Sequence, residues 1–185
     1  MKHNSDDDYV WDLRHEALYH VQFSALYHQK RERFFELLDK LGKAASLFGG
    51  SGALWKSTDS DVVSQIALVI TATSALSLVF SFSERSKRHA ELATSFRLVA
   101  AEIMGKGERG YDEKDVNRWN EKIYKLEAKE PPSLSALAVL CQNELAIAQN
   151  QPDRIIPQTF WVRWLAPFFD LPQSSINAVD QAKME

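Results

Sequence analysis

Apolar residues return at three- and four-residue steps from Tyr9 to Leu41, through Val10, Leu13, Ala17, Val21, Ala25, Tyr27, Phe34, Leu37, Leu38 and Leu41, with no Gly or Pro between. That spacing predicts one long amphipathic helix. Ser5 and the aspartates at 6, 7 and 8 supply an N-cap and negative charge where a helix dipole favours them, which sets its start near residue 6. Inside it Ala17-Leu18-Tyr19-His20 recurs as Ala25-Leu26-Tyr27-His28, an echo too short to define a repeat architecture and read as packing or chance.

The pattern then changes character. Val62 to Phe82 is an uninterrupted run without a charge, with Gln65 its one strongly polar member. A hydrocarbon core of about 30 Å needs about 20 helical residues, and this run meets that length. It predicts a transmembrane helix; the alternative is the central helix of a soluble bundle. Ser64, Ala67, Thr71, Ser74 and Ser81 share one side of the helical wheel, and Leu68, Val69, Ala72, Leu76, Val79 and Phe80 the other. The first side suits close helix packing or a water-filled lumen, the second lipid.

Leu41 to Trp55 reads as a weaker first leg of a membrane hairpin. It is uncharged after Lys43 but short, so spanning would need Lys40 and Lys43 to snorkel. Gly49, Gly50 and Gly52 would let its backbone lie close against the second leg, or would break the helix. Trp55 is placed as an interface anchor before the polar turn 56–61. Lys30, Arg31, Arg33, Lys40 and Lys43 precede the hairpin and Arg85, Lys87 and Arg88 follow it, whereas the turn carries only Lys56. Positive charge stays on the cytoplasmic side, so both termini are expected there.

Beyond the hairpin a helix is expected from Ser83 to Met104, with Ala90, Ala93, Phe96, Ala100 and Ile103 inward. The glycines of 105–110 stop it. Asp112 opens a helix to about Lys129, and after Pro131-Pro132, Ser133 caps a last one to about Asn150. The tail is densely aromatic from Ile155 to Phe169, including Phe160, Trp161, Trp164 and Phe168. It either docks on the helical lobe or lies among lipid headgroups. The residues after it read as loose.

Composition narrows the function. Gly 7 and Pro 6 are few in 185 residues, and no alternating β-branched run appears, which predicts an all-α fold: a two-helix transmembrane hairpin continuous with long cytoplasmic helices in a bundle. It is read as a single domain over 1–185, divided into an N-terminal helix (6–41), a hairpin (41–82), cytoplasmic helices (83–150) and a tail (151–185). A net charge of -3 argues against nucleic acid as a partner. The one cysteine, Cys141, cannot form an internal disulfide and lies on an apolar stripe, so it reads as core. The N-terminal stretch lacks the apolar core of a signal peptide, so insertion is expected to rely on the internal span.

The histidines at 3, 15, 20, 28 and 89 lack the i, i+4 spacing of a helical metal pair, and no nucleophile elbow, carboxylate pair or phosphate loop is present. No catalytic residue, metal or cofactor is therefore expected.

The order of parts resembles the SLATT family, bacterial two-transmembrane effector domains that accompany nucleotide-signalling and related anti-phage systems. The likeness rests on a long aromatic and basic N-terminal helix (Trp11, Arg14, His20, Tyr27, Arg31), a small-residue hairpin over 46–82, and a helix directly after it bearing Glu84, Arg88, His89 and Glu91. It covers roughly residues 9 to 150. The resemblance implies a homo-oligomer in the bacterial inner membrane that forms a pore and depolarises the cell. It also implies a sensor on a separate protein and no catalytic residues. The other reading is a membrane-anchored or soluble helical interaction module, phage-borne ones included, without pore activity.

Overall fold

The computed structural model describes residues 5–54, 60–168 and 170; within these, the side chains of 5–8, 48–54, 60, 62, 63, 66, 77 and 78 fall outside the description. The chain is all-α, with no strand among the described residues: α1 (Ser5–Leu54), α2 (Ser60–Phe80), α3 (Phe82–Gly105), α4 (Glu113–Glu127), α5 (Ser135–Ala148) and α6 (Phe160–Leu165), with a 3-10 turn at Pro152–Arg154. It divides into two compact units, Met1–Lys30 with Glu91–Glu185, and Arg31–Ala90. The expected anchor Trp55, the turn residues 56–59 and the tail beyond residue 170 lie outside the described residues.

In the larger unit the apolar stripe of α1 does what its spacing predicts. Ala17, Val21 and Ala25 join Phe96, Val99 and Ile103 of α3 and Val116, Trp119 and Ile123 of α4 in one buried cluster. Small residues on α1 leave room for Trp119 and Phe96, both fully buried. Each such large side chain is worth about 1.5–3 kcal/mol of transfer free energy. A second cluster gathers Tyr27, Ala136, Leu137, Cys141 and Ala166 around α5 and α6. Cys141 is 0% exposed there, and burial pushes its thiol up to about 12. It is a small core residue rather than a nucleophile.

The caps explain where the helices begin. Asp112 is extended and its carboxylate accepts the Asp115 N–H at 2.9 Å, so α4 opens where the sequence indicates. The expected Ser133 cap on α5 is not formed. The helix starts at Ser135 after Leu134, and its first amides go to distant acceptors: Leu134 N–H to the Tyr27 Oη at 2.8 Å and Ser135 N–H to Asp170 Oδ1 at 3.0 Å. Tertiary acceptors replace the local hydroxyl because the fold brings the Tyr27 phenol and the Asp170 carboxylate to this helix end.

Two boundaries differ from expectation. The N-terminal helix and the stretch expected as a hairpin's first leg are one helix, α1 (50 residues), which continues through Gly42, Gly49, Gly50 and Gly52. The glycines therefore do not break it. The second helix, expected to run to Phe82, ends at Phe80, because Ser81 takes a left-handed φ of 46. Its carbonyl accepts the Arg85 N–H at 3.0 Å and starts α3. A short polar residue tolerates this conformation better than its β-branched and aromatic neighbours would.

Candidate functional site: the exposed faces of α2

α2 is 21 residues long, about 30 Å at 1.5 Å per residue. Among its described side chains none is buried, and only Ile70 and Thr73 are half-buried. Leu68 is 70% exposed, Val69 59%, Leu76 52% and Val79 76%. Soluble surfaces rarely gather so many large apolar side chains in one place. Helical steps sort the helix into three sectors: the half-buried Ile70 and Thr73, the exposed apolar Leu68, Val69, Leu76 and Val79, and the exposed small face of Ser64, Ala67, Thr71 and Ser74. Ser81 is exposed too, but it stands at the junction with α3 and not on the helical stripe.

The hydroxyls are partly satisfied within the helix. Thr71 Oγ1 donates to the Ala67 carbonyl at 2.8 Å, and Thr73 Oγ1 to that of Val69. On α1, Ser46 Oγ donates to the Gly42 carbonyl at 3.0 Å. Such back-bonding lowers the cost of carrying a hydroxyl where no water reaches it. Gly49, Gly50 and Gly52 lie within α1, in the stretch whose side-chain surroundings fall outside the description. Among the described residues no helix is long and apolar enough to cross a membrane. Val62, Val63, Ile66 and Leu78, four of the apolar residues of α2, stand outside that count.

At the α2–α3 junction a cationic and aromatic cluster forms that spacing alone does not disclose. Phe35 is buried, stacks on His89 at 5.6 Å and on Phe82 at 6.5 Å, and carries the Arg31 guanidinium 4.5 Å above its ring and that of Arg85 at 5.9 Å. Phe80 stacks on Phe82 with rings nearly parallel, and Ser86 Oγ donates to the Glu32 carbonyl at 3.3 Å. Arginine over aromatic rings is at home at the edge of an apolar layer.

Two clefts lie among the described residues of the larger unit, neither with a reactive constellation. One, of about 210 Å³ between α1 and α4, has His20 on its wall, but His20 Nε2 lies 2.7 Å from Glu127 Oε1. The other, of about 190 Å³, is lined by Tyr19, three glutamines and Arg154. Among the described residues no set of His, Cys, Asp and Glu is placed to hold a metal ion. Sequence reasoning also missed the fully buried His28, whose Nε2 is 2.9 Å from Glu130 Oε1. The signal was there, because His28 stands seven residues after Val21 on the buried stripe.

The charged face of α3 and α4 is ordinary surface pairing. Lys122, hydrogen-bonded to Glu102, holds that carboxyl below its usual range, Lys106 does the same for Asp115, and Lys125 for Glu121. No family model, curated protein or solved structure matches this chain.

Proposed function

We propose that the chain is a membrane-embedded helical effector: α2 inserts in the inner membrane, with the C-terminal part of α1 as its hairpin partner, and copies assemble so that the small hydroxyl face lines a pore. The observation that carries this reading is the exposure of Leu68, Val69, Leu76 and Val79 on a helix with no buried side chain among those described. In water that surface would cost about 25 cal/mol for every Å² left uncovered.

The three sectors of α2 each suit a different neighbour. Ile70 and Thr73 suit a hairpin partner, Leu68 and Val79 suit lipid, and Ser64, Thr71 and Ser74 suit a lumen or another copy. The back-bonded hydroxyls and a helix that persists through Gly49, Gly50 and Gly52 both fit a medium in which every backbone group must find an internal partner. Arg31 and Arg85, with Lys87 and Arg88 nearby, suit the cytoplasmic boundary. Insertion of this kind fits the effector role that the SLATT resemblance implies, with the trigger supplied by a separate sensor.

A second reading, a helical interaction module without pore activity, draws on one observation: no helix among the described residues is long and apolar enough to cross a membrane. Fractionation separates the two. The full-length chain should pellet with membranes, resist alkaline carbonate and leak dye when reconstituted in vesicles. Recovery in a detergent-free high-speed supernatant would overturn insertion, and a carbonate-resistant but leak-free protein would overturn the pore.

A further inference from the structure

The aromatic tail is neither wholly core nor loose. Ala166 is fully buried in the cluster around α5, and Val162 packs against it half-buried, so one side of α6 is docked. The opposite side presents Phe160 (69% exposed), Trp161 (66%), Trp164 (59%) and Phe168 (46%), spaced so that they form one continuous face. Ile155 and Ile156, a few residues earlier in the chain, are exposed too. The segment that leads into α6 is tied to α5. Asn143 Nδ2 donates to the Ile156 carbonyl at 2.6 Å, Asn143 Oδ1 accepts the Ile156 N–H at 2.8 Å, and Gln158 Nε2 donates to the Ala136 carbonyl at 3.0 Å.

Charge distinguishes the possible occupants. The Arg163 side chain, on α6 beside Trp164, is exposed and makes no ion pair among the described residues, while Asp170 is turned to the N-terminus of α5. An exposed face of two indoles and two phenyl rings beside the exposed Arg163 guanidinium on the same helix matches a phospholipid interface. There the rings enter the acyl boundary, indole N–H groups remain at the wet level and arginines reach phosphates.

We infer that the face formed by Phe160, Trp161, Trp164 and Phe168, with Arg163, docks the larger unit on the headgroup region of a bilayer. This rests on the membrane reading above but involves different residues, so the two can fail separately.

The test is an environment-sensitive fluorophore on Phe160→Cys in the full chain, with buried Cys141 out of the reagent's reach. The protein is reconstituted in, or added to, phosphatidylcholine–phosphatidylglycerol vesicles. A headgroup-labelled nitroxide lipid should quench the probe, aqueous iodide should lose access to it, and Trp161→Ser with Trp164→Ser should reverse both effects. A probe that iodide reaches equally with and without vesicles would overturn the docking. So would a probe already shielded without lipid and cross-linked to a second copy. Carbonate extraction keeps the readings apart. If the double variant stays in the pellet, α2 holds it there, whereas nitroxide quenching of a carbonate-released parent chain would sink the α2 reading and leave the tail's docking standing.

Discussion

The phenol oxygen of Tyr27 accepts the backbone N–H of Leu134 at 2.8 Å, across 107 residues of sequence. The neighbouring His28 Nε2 lies 2.9 Å from Glu130 Oε1. Two adjacent residues of α1 thus fix the Pro131-Pro132 connection, which cannot fix itself because proline has no amide hydrogen to give. The same helix pairs His20 with Glu127 at 2.7 Å, so the repeated Ala-Leu-Tyr-His places both histidines against carboxylates. The echo has a structural role.

Tyr27→Phe keeps the ring in its cluster but leaves the Leu134 amide without its acceptor. The variant should lose about 1 kcal/mol of stability, at the low end of the cost of a buried unpaired donor. Denaturant unfolding in mild detergent, followed by circular dichroism, measures it. An unchanged midpoint would mean that water replaces the phenol.

Trp119 and Trp161 should behave in opposite ways. Trp119 is fully buried, so Trp119→Ala should cost about 3–5 kcal/mol through lost burial and a cavity. Trp161 is 66% exposed, and without lipid Trp161→Ala should fall within about 0.5 kcal/mol of the parent. Equal losses in detergent would contradict the tail geometry.

Acid should weaken the larger unit in a defined direction. Glu102, Asp115 and Glu121 are held below their ordinary values of 4.5, 3.8 and 4.5, each first by a lysine hydrogen bond. Their contribution is present above those ordinary values and is lost as pH falls through the lower folded ones. Lys122→Met removes the main cause for Glu102. Its stability curve should lie below the parent's above about pH 5 and converge with it in stronger acid. Parallel curves across that window would show that the pair adds nothing.

The all-α class, the stripe of α3 and the first half of the α1 stripe were legible because periodicity is local: Ala17, Val21, Phe96 and Ile103 are buried as their spacing implies, whereas Leu37 and Leu41, expected on the same α1 stripe, are exposed. Asp112 was legible for the same reason, since its acceptor role is completed three residues away. The start of α5 was not, because Tyr27 and Asp170 supply its acceptors and neither is a neighbour in sequence. Ser81 looked like one more helical hydroxyl, and only the backbone reveals its positive φ. The hydroxyl stripe itself could be read, but what it faces is not encoded in one chain.

Topology offers a direct check on the proposed insertion. Arg31, Arg85, Lys87 and Arg88 flank the proposed span on one side, so a reporter fused after Glu185 should read cytoplasmic and one inserted near Ser60 should read external. A cytoplasmic signal from the Ser60 insertion would end the hairpin.

The pore assignment separates by face of α2. Ser74 is exposed on the small face, and Leu76 is 52% exposed on the apolar one. If the small face lines a wet path, Ser74→Leu should dewet or block it and abolish leakage while the oligomer persists. Leu76→Ile changes shape but hardly volume on a surface that lipid would cover, so leakage should continue. Thr71→Val is the control for hydroxyl chemistry. Thr71 Oγ1 already donates to Ala67, so replacing it should narrow nothing and only make the wall less polar, giving partial rather than complete loss. If the same face instead packs helix on helix, Ser74→Leu should dissociate the oligomer, since close approach tolerates no added bulk. Depolarisation of expressing cells, read beside cross-linked oligomer size, distinguishes these outcomes. Full leakage from an intact Ser74→Leu oligomer would remove Ser64, Thr71 and Ser74 from the lumen.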